Sequence, residues 1–101
     1  MKYLLILLLI ACGKPDSPTP TYKGKLLYKR NCISCHNPNP SKKGSIGPEL
    51  TDTPKEVFVS KVTKGTYPTW YSPKRDTNMM PQFNHLTNDA ELIYNYVQMF
   101  K

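Results

Sequence analysis

The run Cys32-Ile33-Ser34-Cys35-His36 constrains this chain more than any other stretch. Two thiols three positions apart lie about one helical turn apart, so both can bond along one edge of a flat ring. A histidine directly after the second thiol is aimed at the centre of that ring from one face. A bare Cys-x-x-Cys also serves zinc or a redox disulfide. A structural zinc needs further ligands, and His85 alone does not complete a four-ligand shell. A redox pair expects a βαβ setting, and no segment here shows sustained strand alternation. The pattern favours one covalently attached haem c, with Cys32 and Cys35 as thioethers and His36 as an axial iron ligand.

The beginning of the chain reads as an address. Lys2 precedes an unbroken apolar stretch from Tyr3 to Ala11, shorter than the ~20 residues a membrane-spanning helix needs. It ends in Leu9-Ile10-Ala11-Cys12, which resembles a bacterial lipobox, where the signal is cleaved before a cysteine that then carries lipid. Residues 1–11 are therefore expected to be a signal peptide and Cys12 a lipidation site. The plain alternative is an ordinary secretory signal cleaved nearby. Three cysteines are an awkward number for an exported protein. With Cys12 lipidated and Cys32 and Cys35 bonded to haem, no thiol is left over.

Residues 12–21 are proline-rich and lack apolar periodicity, so they read as a tether, and residues 22–101 as the single folded domain. Such a short domain has a thin core of its own, and a haem would supply apolar surface to pack around. Three helices are expected. The first covers about Tyr22 to Cys35, with Gly24, Leu27, Tyr28 and Cys32 on one face. The second starts at Thr53-Pro54-Lys55-Glu56, which has the form of a capping box with proline at the first helical position, and ends at Gly65. The third follows Leu86 with Thr87 as cap, and buries Ile93, Tyr96, Val97 and Phe100. Between them, residues 37–52 and 66–85 carry too many prolines and glycines for regular structure.

A thioether suits the other face of the iron in an electron carrier, because it is a soft, neutral ligand that favours ferrous iron. Met79 and Met80 lie in the second loop, directly before Pro81, whereas Met99 falls on the last helix. Met80 is favoured, because the following proline restricts its backbone to an extended shape. Met79 is the alternative, and His85 is a rival ligand.

Together these residues resemble the small monohaem class I cytochromes c over roughly Tyr22 to Lys101, in a bacterial lipoprotein form. Gly24, Tyr28 and the Cys32–His36 run are similar to that family's first helix and haem motif. Gly47-Pro48-Glu49-Leu50 resembles its GPxL segment, and Met80-Pro81-Gln82-Phe83 its MPxF loop. The resemblance implies an all-α cytochrome c fold with three main helices around the haem. It also implies that the Pro48 carbonyl orients His36, that Leu50 packs on the haem and that Tyr96 crosses near Gly24. Compact members of the family have fewer residues where this chain carries Thr66 to Met79. In that insertion Trp70 is a candidate to cover a haem edge or to donate to a propionate, and Lys74 and Arg75 either pair with propionates or stay solvated.

The chain carries 14 Lys and Arg against 7 Asp and Glu, a formal charge of +7. Lys23, Lys25, Lys29, Arg30, Lys42 and Lys43 flank the haem motif and are expected to form a collar that docks an acidic patch on a redox partner. Nothing resembles a nucleic-acid recognition motif. The expected function is that of a single-electron carrier rather than an enzyme, lipid-anchored at the outer face of a bacterial membrane. The alternatives are a subunit that moves electrons into or out of a larger oxidoreductase, and a haem-based binder of small ligands.

Overall fold

The computed structural model describes residues 19–101; the expected signal peptide, Cys12 and most of the expected tether lie outside them. Among the described residues the elements are α1 (Pro20–Asn31), α2 (Lys55–Lys64), a 3-10 turn (Asn84–Leu86) and α3 (Ala90–Gln98), with no strand. The expected all-α fold with three helices is what forms. None of these helices is long and apolar enough to cross a membrane.

The helix boundaries differ from expectation for identifiable reasons. The α1 helix begins inside the stretch read as tether, because Thr19 caps it: its hydroxyl accepts from the Tyr22 N–H at 3.1 Å, and Pro20 takes the first turn. It stops at Asn31, whose side-chain amide donates to the Leu27 carbonyl at 2.9 Å. The haem motif therefore lies in the turns that follow rather than within the helix. Helix-like bonds persist there: the Cys32 carbonyl accepts from His36 N–H at 2.8 Å and from Cys35 N–H at 3.2 Å.

The expected Thr53 cap is replaced by Pro54, whose extended backbone delays α2 by one residue, and no side chain caps it. Gly65 closes α2 in the left-handed region (φ 72°), as its position suggested. Thr87 does not cap α3; its hydroxyl donates to the Asn84 carbonyl at 2.6 Å, and Asp89 occupies the cap position instead.

The core is where α1 and α3 cross. Tyr28, Ala90, Ile93 and Val97 are fully buried there, with Phe58 and Val62 of α2 and Leu86 of the 3-10 turn packed beside them. The crossing is close because of Gly24: a Cβ at that position would lie 2.3 Å from the Leu92 carbonyl oxygen and 3.3 Å from Cβ of Tyr96. The Tyr28 and Tyr96 rings meet at 5.8 Å between centroids. The pairing of Gly24 with Tyr96 thus lies where the resemblance put it.

A cavity closed by two loops

A cavity of about 340 Å³ opens between the Cys32–His36 turn, α2 and the two long loops. Its lining includes Cys32, Cys35, His36, Pro48, Leu50, Met79 and Met80, so the structure brings together the haem-site residues expected from the sequence. It also includes Val57, Phe58, Val62 and Phe83, which make one wall apolar.

Residues 37–48 fold back onto the motif. The N–H groups of Ile46 and Gly47 both donate to the Cys35 carbonyl, at 3.1 and 2.9 Å, and the Tyr28 hydroxyl ties α1 to the Asn37 carbonyl at 2.6 Å. This folding lays Gly47-Pro48 against the His36 ring. The ring Nδ1 stands 3.0 Å from the Pro48 carbonyl oxygen. A carbonyl only accepts, so Nδ1 carries the proton and donates. Nε2 is left with its lone pair, and no described residue hydrogen-bonds to it. Burial lowers the proton affinity of His36 most, the Pro48 bond opposes that, and the Arg75 charge lowers it further. The result is a neutral imidazole of fixed tautomer, the form that ligates a metal.

Gly47 is indispensable to this arrangement. A Cβ there would sit 2.3 Å from Cε1 and 2.5 Å from Nδ1 of His36, inside the ring's own contact distance. The Gly47-Pro48 motif alone carries no sign of this role, because only the folded loop brings the His36 ring over Gly47.

The Cys32 thiol shows little nucleophilic character. Burial, with the neighbouring Cys35 as a lesser cause, pushes the Cys32 thiol up to about 12, the reverse of what a redox cysteine requires. Nor does any cluster of three or more His, Cys, Asp or Glu among the described residues suit a metal ion.

The loop at 66–83 forms the facing part of the lining. Its end is pinned to α2 by Phe83 N–H to the Val62 carbonyl at 2.8 Å and Gln82 Nε2 to the Thr63 carbonyl at 3.1 Å. Its middle is held by Lys74, which pairs with Glu49 at 3.1 Å and with Asp52, and donates to the Glu49 carbonyl at 3.0 Å. Tyr67 and Tyr71 stack at 5.7 Å and both line the cavity, with the Lys61 ammonium 4.6 Å above the Tyr67 ring. Trp70 lies outside the lining, 60% exposed and edge-on to Tyr71. The two methionines part company: Met80 packs against the hydrophobic core, whereas Met79 is 62% exposed. His85 is exposed on the 3-10 turn and does not line the cavity.

The helical frame and this cavity define a small all-α domain with one largely apolar wall facing its cavity. A neutral histidine and two cysteines share that cavity's lining. A family model described as Cytochrome c matches residues 22–101. The chain belongs to the cytochrome c family, whose members bind haem c covalently and transfer electrons. Searches of curated proteins and of solved structures returned no match.

Proposed function

We propose that this protein is a single-electron carrier that holds one haem c through Cys32 and Cys35, with His36 and Met80 as the axial ligands. Bound haem supplies an iron that gains and loses one electron. The chain supplies the environment. His36 offers Nε2 while Pro48 fixes its orientation and strengthens it as a donor. Met80 offers a soft thioether that favours the ferrous state, and Leu50, Phe58 and Phe83 keep water from the lining.

One observation carries this reading. His36 and Met80 line the same cavity, and of the two adjacent methionines it is Met80 that packs against the core. A site closed on both sides suits electron transfer, which leaves the ligands in place, better than it suits binding of a small molecule at the iron. The lipobox-like end of the chain supports export and anchoring through Cys12, with residues up to the α1 cap as the tether. Lys25, Lys29, Lys42 and Lys43 are exposed around the motif and suit an acidic redox partner, while Lys23 is engaged by Asp89 at 3.2 Å.

The test begins with the mass of the purified protein under denaturing conditions, where an increment of one haem is expected. Met80→Ala and Met79→Ala are then compared by absorption spectra and potentiometry. The Met80 variant should lose the high potential and bind carbon monoxide, and the Met79 variant should resemble the parent. The opposite pattern would overturn the Met80 assignment, and free thiols at Cys32 and Cys35 would overturn the haem reading.

A further inference from the structure

Lys74 and Arg75 are neighbours in the loop that closes the cavity, and both line it. Their surroundings differ. An ammonium has three donors, and Lys74 has three acceptors: the carboxylates of Glu49 and Asp52 and the Glu49 carbonyl. Arg75 is half-buried, and no described carboxylate lies within ion-pairing distance of it. Its one hydrogen bond among the described residues is long, Nη1 to the Lys74 carbonyl at 3.4 Å. A guanidinium has five N–H donors in a rigid fork, so most of that fork is uncommitted.

A cation partly withdrawn from water is stable when an anion meets it. The other cations of the lining have different circumstances. Lys61 lies over the Tyr67 ring, and Arg30 is exposed on α1. The group proposed for this cavity carries two carboxylates on one edge, and a carboxylate is what a guanidinium binds through two parallel hydrogen bonds.

We infer that Arg75 anchors a haem propionate, its guanidinium fork paired with the carboxylate, while Lys74 holds the loop that presents it. This assignment rests on the haem reading above and gives the inserted loop a task. Its neighbouring cations divide the work, one spent on the protein's own acids and the other turned to the cofactor. The nearby charge also acts on the iron. A fixed cation favours the reduced, less positive state, so Arg75 holds the potential up.

The experiment uses the full-length holoprotein and the variants Arg75→Gln, Arg75→Lys and Arg30→Gln. Denatured mass is read first; absence of one haem in the parent protein would sink the underlying reading and is distinct from any result below. Resonance Raman spectra then report the propionate bending mode, and potentiometry the midpoint. Arg75→Gln should shift the mode and lower the midpoint. Arg75→Lys keeps the charge but not the fork, so it should shift the mode and hold the midpoint near the parent value. Because this second variant is the milder change, it carries the test if the glutamine variant does not fold. Arg30→Gln should leave the mode unmoved. An unchanged mode in both Arg75 variants, or a shifted mode in Arg30→Gln alone, would overturn the assignment.

Discussion

His36 and Met80 line one cavity, yet the chain holds them by different means. His36 sits at the end of a turn that α1 runs directly into, and the next twelve residues fold back to place Gly47 and Pro48 on its ring. Two N–H groups share the Cys35 carbonyl, the Pro48 carbonyl accepts from Nδ1–H, and the space beside Gly47 has no room for a side chain. Met80 lies near the end of a long loop with no regular structure, and its fixings come from afar: α2 through Phe83 and Gln82, and the 49–52 segment through Lys74. One side is determined locally and sterically. The other is stapled, and staples made of surface charges are weak.

The sharpest way to break this contrast is Gly47→Ala. The added Cβ falls on the His36 ring, so either the ring or the backbone must move. Restricting the unfolded chain favours alanine by about 0.4–1 kcal/mol, but overpacking of this kind costs about 1–3 kcal/mol, and the steric cost dominates. Denaturant midpoints should fall accordingly, and the His36 Nδ1–H resonance in the NMR spectrum should shift as the Pro48 hydrogen bond is lost. A variant with the stability and spectrum of the parent protein would show that the His36 side is not held sterically.

The same contrast explains what could be read before the structure. The His36 side was legible because its parts are close in sequence and each has a local chemical signature: paired cysteines, an adjacent histidine and a glycine-proline pair. The three helices were legible from apolar spacing, and Gly65 from its position as a stop. Their starts were not, because capping turned on which backbone became extended. Pro54 displaced Thr53, and Thr87 spent its hydroxyl on Asn84. The Met80 side was half legible. Its ligand candidates stood before a proline, but nothing local said that Lys74 would meet Glu49 and Asp52, a partnership made by chain segments more than twenty residues apart. Nor did the sequence separate Lys74 from Arg75, since their difference lies wholly in which carboxylates reach them.

Removing the staple gives the second test. Lys74→Met keeps the length of the side chain and removes the charge that Glu49 and Asp52 share. Lys74 is only partly buried and Asp52 is well exposed, so the expected loss of global stability is about 0.5–1 kcal/mol. The larger change should be local. Hydrogen exchange of the amides at 66–80 should speed up, while the amides of Ile46 and Gly47, which bond to Cys35, keep their protection. Equal acceleration on both sides would mean that the two are one cooperative unit, and the distinction between them would fall.

The smallest effect concerns acid. The Lys74 hydrogen bond holds the Glu49 and Asp52 carboxyls below their ordinary values. A carboxyl depressed by folding contributes stability above its unfolded value, about 4, and that contribution is lost as pH falls through the lower folded value. Lys74 itself has burial against its charge, but the two carboxylates outweigh burial and raise it. Its contribution is complete below its unfolded value, about 10.4, and is lost only as pH rises through the folded one. The staple is therefore whole across the neutral range and opens first on the acid side. The stability gap between the parent protein and Lys74→Met should stay level near neutrality and close by ~0.5 kcal/mol as pH drops below about 4. The deficit of Gly47→Ala is a clash between a methyl group and a ring, with no carboxylate in it, so it should not close over the same acid range. If both gaps closed together, the acid response would belong to the whole domain rather than to the Lys74 staple.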